Sequence, residues 1–240
     1  VKSFKVRLDL GVHHLFRFYA AINMNEQFVK RKDVNEMRIG VVLAGGQSRR
    51  MNGRCKALLL FDGKTILMRQ IKEMKHLCEE ILIVTHQPEW FKEYQTEQVQ
   101  IISDQIPGKG PLSGIHAAFH QSSGEEFWIV GCDLPFLSWQ AAQFLFQLRR
   151  QRDVEAVVPV VNGKIHPLHG VYHRRCLPRL TRCLMRGELR VSHFLQQINY
   201  LKAEEEEFRQ RGIDLRFVMN VNTPEEYQRA VELKQSEEAL

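Results

Sequence analysis

Five short runs rich in β-branched residues set the limits on this fold: "RIGVVL" at 38–43, "EILIVT" at 80–85, "VQIIS" at 99–103, "EFWIVGC" at 126–132 and "EAVVPVV" at 155–161. None shows the strict polar alternation of a sheet with one wet face, so these strands are expected to be buried on both sides. Helical stretches separate them. Leu67 to Cys78 carries apolar residues at Leu67, Ile71, Met74 and Cys78, and Leu112 to Gln121 and Ser138 to Arg149 follow. Repeated strand, helix, strand units predict an α/β three-layer sandwich, a mostly parallel sheet with helices on both faces. At 240 residues, 44% of them hydrophobic, the chain suits one globular domain with a sizeable core and an added segment.

In such a sheet, ligands bind outside the carboxyl ends of the strands. The first strand ends in "VVLAGGQSRRM", and Gly45 and Gly46 leave backbone N–H groups free to converge on an anion. Arg49, Arg50 and Lys56 supply matching charge, so this turn is read as a nucleotide phosphate site. Two other phosphate signatures fail. "GKT" at 63–65 imitates the end of a Walker A motif, but Leu58 stands where that motif needs glycine, and a turn before the next helix explains it better. "GKGPLSG" at 108–114 has its third glycine one residue too late for a dinucleotide fingerprint and follows a polar loop. Asp133, in "FWIVGCDLPFL", stands directly after a strand and before Leu134 and Pro135. A carboxylate there is well placed to hold Mg²⁺, which takes oxygen ligands alongside substrate phosphates.

Other classes are disfavoured. Of the net charge of +6, half falls in residues 1–36, and no stripe of interleaved aromatic and basic residues suggests nucleic acid. No apolar stretch approaches the roughly 20 residues needed to span a bilayer, so no membrane partner is expected. The five cysteines form no CxxC pair and are odd in number, which fits reduced thiols in a cytoplasmic protein; Cys132 reads as a small buried hydrophobe. The histidines of "HPLHGVYH" (His166, His169, His173) and the His116/His120 pair lack partners at zinc-site spacing, and odd spacing along a strand would split the first set between two faces. "AEEEEF" reads as a solvated helix face. Residues 1–36 lack a signal-peptide core. They are expected to be an extension, poorly ordered or loosely docked or outside the native domain, with the working domain at 37–240.

Taken together, "LAGGQSRRMNGRCKALL", "SDQIPGKGPLSGI", "CDLPF", "HPLHGVYHRRCLP", "GELRVSHFL" and "NVNTPEEY" resemble, in that order, the molybdenum cofactor guanylyltransferases, the MobA family. The similarity runs from Arg38 to about Arg229. It implies a nucleotide-diphospho-sugar transferase-like, Rossmann-like fold and Mg²⁺-dependent transfer of GMP from GTP to the terminal phosphate of molybdopterin. It also implies pyrophosphate release, with molybdoenzymes or other cofactor-biosynthesis proteins as further partners. Leu43, Ala44 and Gly45 match the loop that contacts GTP, Lys56 its phosphate-binding lysine and Asp104 a nucleotide-binding aspartate. Asp133 matches the aspartate that binds both Mg²⁺ and GTP. Arg49 and Arg50 would meet developing charge. His166, Arg190, Asn220 and Asn222 fall on positions associated with the pterin or the reacting end, although Asn222, Thr223 and Pro224 also make a good helix start.

There are two departures. Asn52 and then Gly53 follow the RM pair where the family has glycine at once; asparagine tolerates left-handed geometry, so the loop is expected to keep its shape. The asparagine that some relatives carry at the end of the second strand is absent, with Val84 or Thr85 in its place, and no base contact is expected from that strand. Two alternatives remain: a related nucleotidyltransferase using CTP or a sugar phosphate, and a non-catalytic nucleotide- or cofactor-binding adaptor.

Overall fold

A computed structural model describes residues 37–46, 55–104 and 110–238. The expected extension, residues 1–36, and residues 47–54 with Arg49 and Arg50 lie outside the described residues.

The first strand, β1 (Arg38–Leu43), is followed by a 3-10 turn (Lys56–Leu58), a hairpin of β2 (Leu60–Phe61) and β3 (Lys64–Thr65), and helix α1 (Ile66–Met74). Next come β4 (Glu80–Thr85), β5 (Val99–Ser103), α2 (Pro111–Gln121), β6 (Glu126–Gly131), α3 (Trp139–Arg152), β7 (Ala156–Val161), β8 (Lys164–Ile165) and β9 (His169–His173). The chain closes with α4 (Leu177–Met185), α5 (Val191–Leu195), β10 (Tyr200–Glu204), α6 (Glu205–Arg209) and α7 (Pro224–Glu238). The main sheet runs β10-β7-β9-β6-β1-β4-β5, with β8 beside β7. All its pairs are parallel except those of β9 with β6 and β7, and of β8 with β7.

The apolar runs are buried on both faces, as their composition requires. Val42, Trp128, Val130 and Val157 face α1, α3 and α6. Val41, Phe127, Ile129 and Val158 face α2, α4 and α5. Each fully buried aliphatic or aromatic side chain contributes about 1.5–3 kcal/mol, so the two layers hold the sheet far more strongly than any surface pair does. Thr65 caps α1 by accepting from the Met68 N–H at 3.2 Å, which places the "GKT" residues in a hairpin turn and helix cap.

Three local expectations change. The helix expected to reach Cys78 ends at Met74 and continues as a turn. The acidic run at 203–208 straddles an element boundary: Ala203 and Glu204 end β10, and Glu205–Glu207 open α6, with Glu204 and Glu207 forming a capping box. The three histidines of "HPLHGVYH" do not share one strand. His166 precedes β9, while His169 and His173 lie on one face at its opposite ends.

Candidate active site

Because β1, β4, β5 and β6 are parallel, their carboxyl ends share one rim. Leu43 lies opposite Gly131 in the β1–β6 ladder, so the glycine-rich turn and the segment leading to Asp133 leave the sheet side by side. The Cys132 N–H continues the ladder to the Leu43 carbonyl at 3.3 Å. The Asp133 carbonyl accepts from Val221 N–H at 2.9 Å, and the Gly131 N–H donates to the Leu168 carbonyl at 3.0 Å. A Cβ at Gly131 would stand 2.7 Å from Asp133 Oδ1, so any side chain here would displace the carboxylate. The carboxylate folds back over a bare backbone.

Three predicted residues meet at this point. Lys56 Nζ donates to Asn222 Oδ1 at 2.6 Å and lies 3.4 Å from Asp133 Oδ2. The Lys56 and Asp133 side chains are 17% and 22% exposed, shielded from bulk water yet open to a ligand. Burial raises the Asp133 pKa above the usual carboxylate value, and Lys56 offsets only part of that effect. Asn222 serves the helix start as well: its N–H donates to Glu226 Oε2 at 2.6 Å, while the neighbouring Thr223 hydroxyl accepts from the Glu226 N–H at 3.2 Å.

A second cluster lies at the ends of β4 and β5. Asp104 follows β5, and its Oδ2 accepts from the Ser113 hydroxyl in the first turn of α2. His86 Nε2 is 3.9 Å from the same oxygen. A Cβ at Gly45 would come within 3.3 Å of the His86 ring, which puts that ring against the exposed glycine turn. Gly114 lets α2 approach this closely, because a Cβ there would meet Leu43 at 2.9 Å. Val84 and Thr85 end β4 with their side chains buried, the Thr85 hydroxyl 3.5 Å from the Ala44 carbonyl. His86, one residue further on, is the side chain that this strand presents. The Ala44 N–H donates to the Val84 carbonyl at 2.8 Å, so the loop is tied to β4 from its first residue.

The other candidates are spread around the same edge. His166 is half-buried before β9, its N–H donating to Pro159 carbonyl at 2.9 Å, and burial holds its imidazole pKa below the usual value. Arg190 is exposed at the N-terminus of α5, next to Leu189, whose carbonyl comes near Gly110 ahead of α2. Asn220 is exposed beside Val221. Among the described residues, no hydrogen bond joins His166, Arg190 or Asn220 to the Lys56, Asp133 and Asn222 cluster.

The donor set at the centre consists of a carboxylate and an amide carbonyl oxygen, hard ligands that suit Mg²⁺, beside an ammonium group that suits phosphate. His169 does not contribute. It is buried against Trp128 and Phe217, with burial lowering its pKa to about 3. His116 and His120 pair with each other at 3.2 Å, and His116 lies 3.1 Å from the Thr181 hydroxyl, in the seam between α2 and α4. All five cysteines are free thiols. Cys132, expected to be buried, is half-buried and packs against the core. Among the described residues, no helix is long and apolar enough to cross a membrane.

The family model described as the MobA-like NTP transferase domain matches residues 40–202. A probable molybdenum cofactor guanylyltransferase from Halalkalibacterium halodurans is 34% identical over 192 residues, 79% of this chain and 95% of that protein. A molybdenum cofactor guanylyltransferase from Desulfosudis oleivorans is 31% identical over 80% of this chain and 93% of that one. Among solved structures, molybdopterin-guanine dinucleotide biosynthesis protein A from Archaeoglobus fulgidus superposes with a TM-score of 0.72 at 23% identity, covering 83% of this chain and all of that one. A CMP:2-keto-3-deoxy-manno-octonic acid synthetase complexed with CTP has a TM-score of 0.62 at 13% identity over 84% of this chain and 99% of that one, a likeness of fold alone. With the family model spanning most of the described sheet and a relative above 30% identity along nearly its whole length, this chain belongs to the MobA-like nucleotidyltransferase family.

Proposed function

We propose that this chain transfers GMP from GTP to the terminal phosphate of molybdopterin, forming the guanine dinucleotide cofactor and releasing pyrophosphate. The observation that carries the proposal is the meeting of Lys56, Asp133 and Asn222 on the strand rim, next to the glycine-rich turn. The names and coverage of the relatives support the choice of nucleotide and acceptor.

The chemistry is a phosphoryl substitution. A terminal phosphate oxygen of molybdopterin forms a bond to the α-phosphorus of GTP, and the bond from that phosphorus to the bridging oxygen of the β-phosphate breaks. The nucleophile is already an anion, so no side chain has to remove a proton from it. The work of the protein is positioning and charge stabilisation. Leu43, Ala44 and Gly45 offer main-chain groups to GTP, and Lys56 meets its phosphates. Asp104, with His86 and Ser113 around it, faces the nucleotide. Arg49 and Arg50 follow the glycines in sequence and supply positive charge to the leaving phosphates. His166, Arg190, Asn220 and Asn222 serve the pterin side. Mg²⁺, held by Asp133, supplies neutralising charge on the phosphate oxygens when bound. The working domain begins near Met37, and the free thiols fit a cytoplasmic enzyme that hands its product to molybdoenzymes or other cofactor-biosynthesis proteins.

The test is pyrophosphate release by the purified chain with GTP, Mg²⁺ and molybdopterin, with CTP as competitor. Turnover with GTP, indifferent to CTP and retained in a chain starting at Met37, is the expected result. Lys56→Ala and Asp133→Ala should each lower it by about 10²–10³-fold. Near-normal turnover in either variant would overturn the residue roles, and absence of pyrophosphate release would favour an adaptor.

A further inference from the structure

The buried face of α1 is apolar except at one place. Ile66, Leu67, Ile71 and Met74 pack into the core, and Gln70 stands among them fully buried. Its Nε2 donates to the Gly131 carbonyl at 2.8 Å and to the Leu134 carbonyl at 3.2 Å. These two carbonyls bracket Asp133. With acceptors on both sides, the amide can face the turn only through its nitrogen. Its Oε1 is then left buried without a partner among the described residues. The glutamine leaves one oxygen of its own unsatisfied in order to satisfy two carbonyls of the Asp133 turn, a pairing that an apolar residue of the same size could not make. One turn further along α1, Glu73 Oε2 accepts from the Trp139 N–H at 3.0 Å, securing the far end of the same segment.

We infer that Gln70 is a positioning residue: by clasping the carbonyls of Gly131 and Leu134 it sets the direction in which Asp133 presents its carboxylate to a divalent cation. The inference rests on the reading of Asp133 as the metal-binding carboxylate. Main-chain bonds from Val221 and Leu168 hold the turn from above and from the sheet, and Gln70 holds it from below. Groups that orient a ligand without touching the metal commonly set its affinity by 10- to 100-fold.

Gln70→Met keeps the volume and removes the donor. Three measurements decide the matter: the thermal midpoint, Mn²⁺ affinity by electron paramagnetic resonance in the presence of GTP, and the Mg²⁺ dependence of turnover. The expected result is a protein that still folds with a lowered midpoint, an Mn²⁺ dissociation constant raised about 10-fold, and a kcat largely restored by excess Mg²⁺. Wild-type Mn²⁺ affinity in a folded Gln70→Met would overturn the inference. Should that variant fail to fold, the Gln70 side-chain amide resonances of the wild-type protein serve instead. They should shift on addition of Mg²⁺ with GTP, and unchanged resonances would count against the clasp. Asp133→Ala is measured in parallel: if it binds Mn²⁺ like wild type, the reading of Asp133 is at fault. If only Gln70→Met retains that affinity, the positioning role alone fails.

Discussion

Strand β6 carries a buried carboxylate at its start and leads to another just past its end, and the two are treated in opposite ways. Glu126 is fully buried and surrounded by cations: Arg149 Nε at 2.6 Å, Arg150 Nη2 at 2.5 Å and Arg38 Nε at 3.5 Å. Burial alone would raise its pKa, but Arg150 and Arg149 outweigh burial and hold it below the usual value. Among the described residues Asp133 has a single cation, at 3.4 Å, and that cation is shared with Asn222. Its pKa is raised. The two ends of one strand therefore differ: among the described residues Glu126 meets three cations and Asp133 one. A complete set of internal partners marks a structural group, and an incomplete set under burial marks a functional one.

The sharpest way to break this comparison is to neutralise each carboxylate in turn. Asp133→Asn should lower turnover by about 10³-fold, roughly 4 kcal/mol in the barrier, with a thermal midpoint equal to or above wild type because a costly buried charge is gone. A fall in the midpoint would make Asp133 a structural group after all. Glu126→Ala should do the reverse, costing about 3–5 kcal/mol in urea unfolding by removing the buried carboxylate that Arg149 and Arg150 share, while folded enzyme keeps its kcat.

Smaller effects sharpen the contrast. Gly131→Ala places a methyl group 2.7 Å from Asp133 Oδ1, and by pushing that carboxylate aside should lower turnover about 10-fold or more with little change in the far end of the strand. His173 faces Glu126 across the β6–β9 ladder, and burial, with Arg149 and Arg175 nearby, lowers its pKa from 6.5 to about 4. The unfolded chain therefore binds this proton first as the pH falls. Stability is lost on acidification from about pH 6.5 toward pH 4, by about 1 kcal/mol per pH unit for this residue. Urea titrations at pH 6.5 and 5.5 should show that loss in the wild type and a smaller one in His173→Gln.

The strands that carry the rim were legible because burial on both faces forces unbroken apolar composition, and β1, β4 and β5 fall at the bounds their residues predict. The rule that ligands sit at carboxyl ends then located Gly45 and Asp133. What did not show was whatever depends on contact across the fold. β9 and β10 hide in sequence because "HGVYH" and "YLKAE" are short and mostly polar or aromatic, their burial supplied by neighbours rather than by β-branched residues. His86 carries no mark in the sequence, because a histidine just past a strand reads as an ordinary turn residue until Gly45 and Asp104 are placed beside it. Gln70 gave no signal at all, since a glutamine in a helix reads as surface until its partners at Gly131 and Leu134 are known. The family resemblance supplied roles for Lys56 and Asn222, but only the fold reveals that they touch.

That touch spans 166 residues of chain, and Asn222 lies beyond the stretch, 40–202, that the family model matches. The irregular segment Val221–Asn222, leading into α7, brings that partner to Lys56 from outside the matched stretch. Every strand of the main sheet precedes that segment in the sequence, so the layered core is encoded before the partner of the lysine. A product clipped ahead of Val221 would keep every strand of the sheet while losing both the Lys56–Asn222 contact and the main-chain bond from Val221 to Asp133.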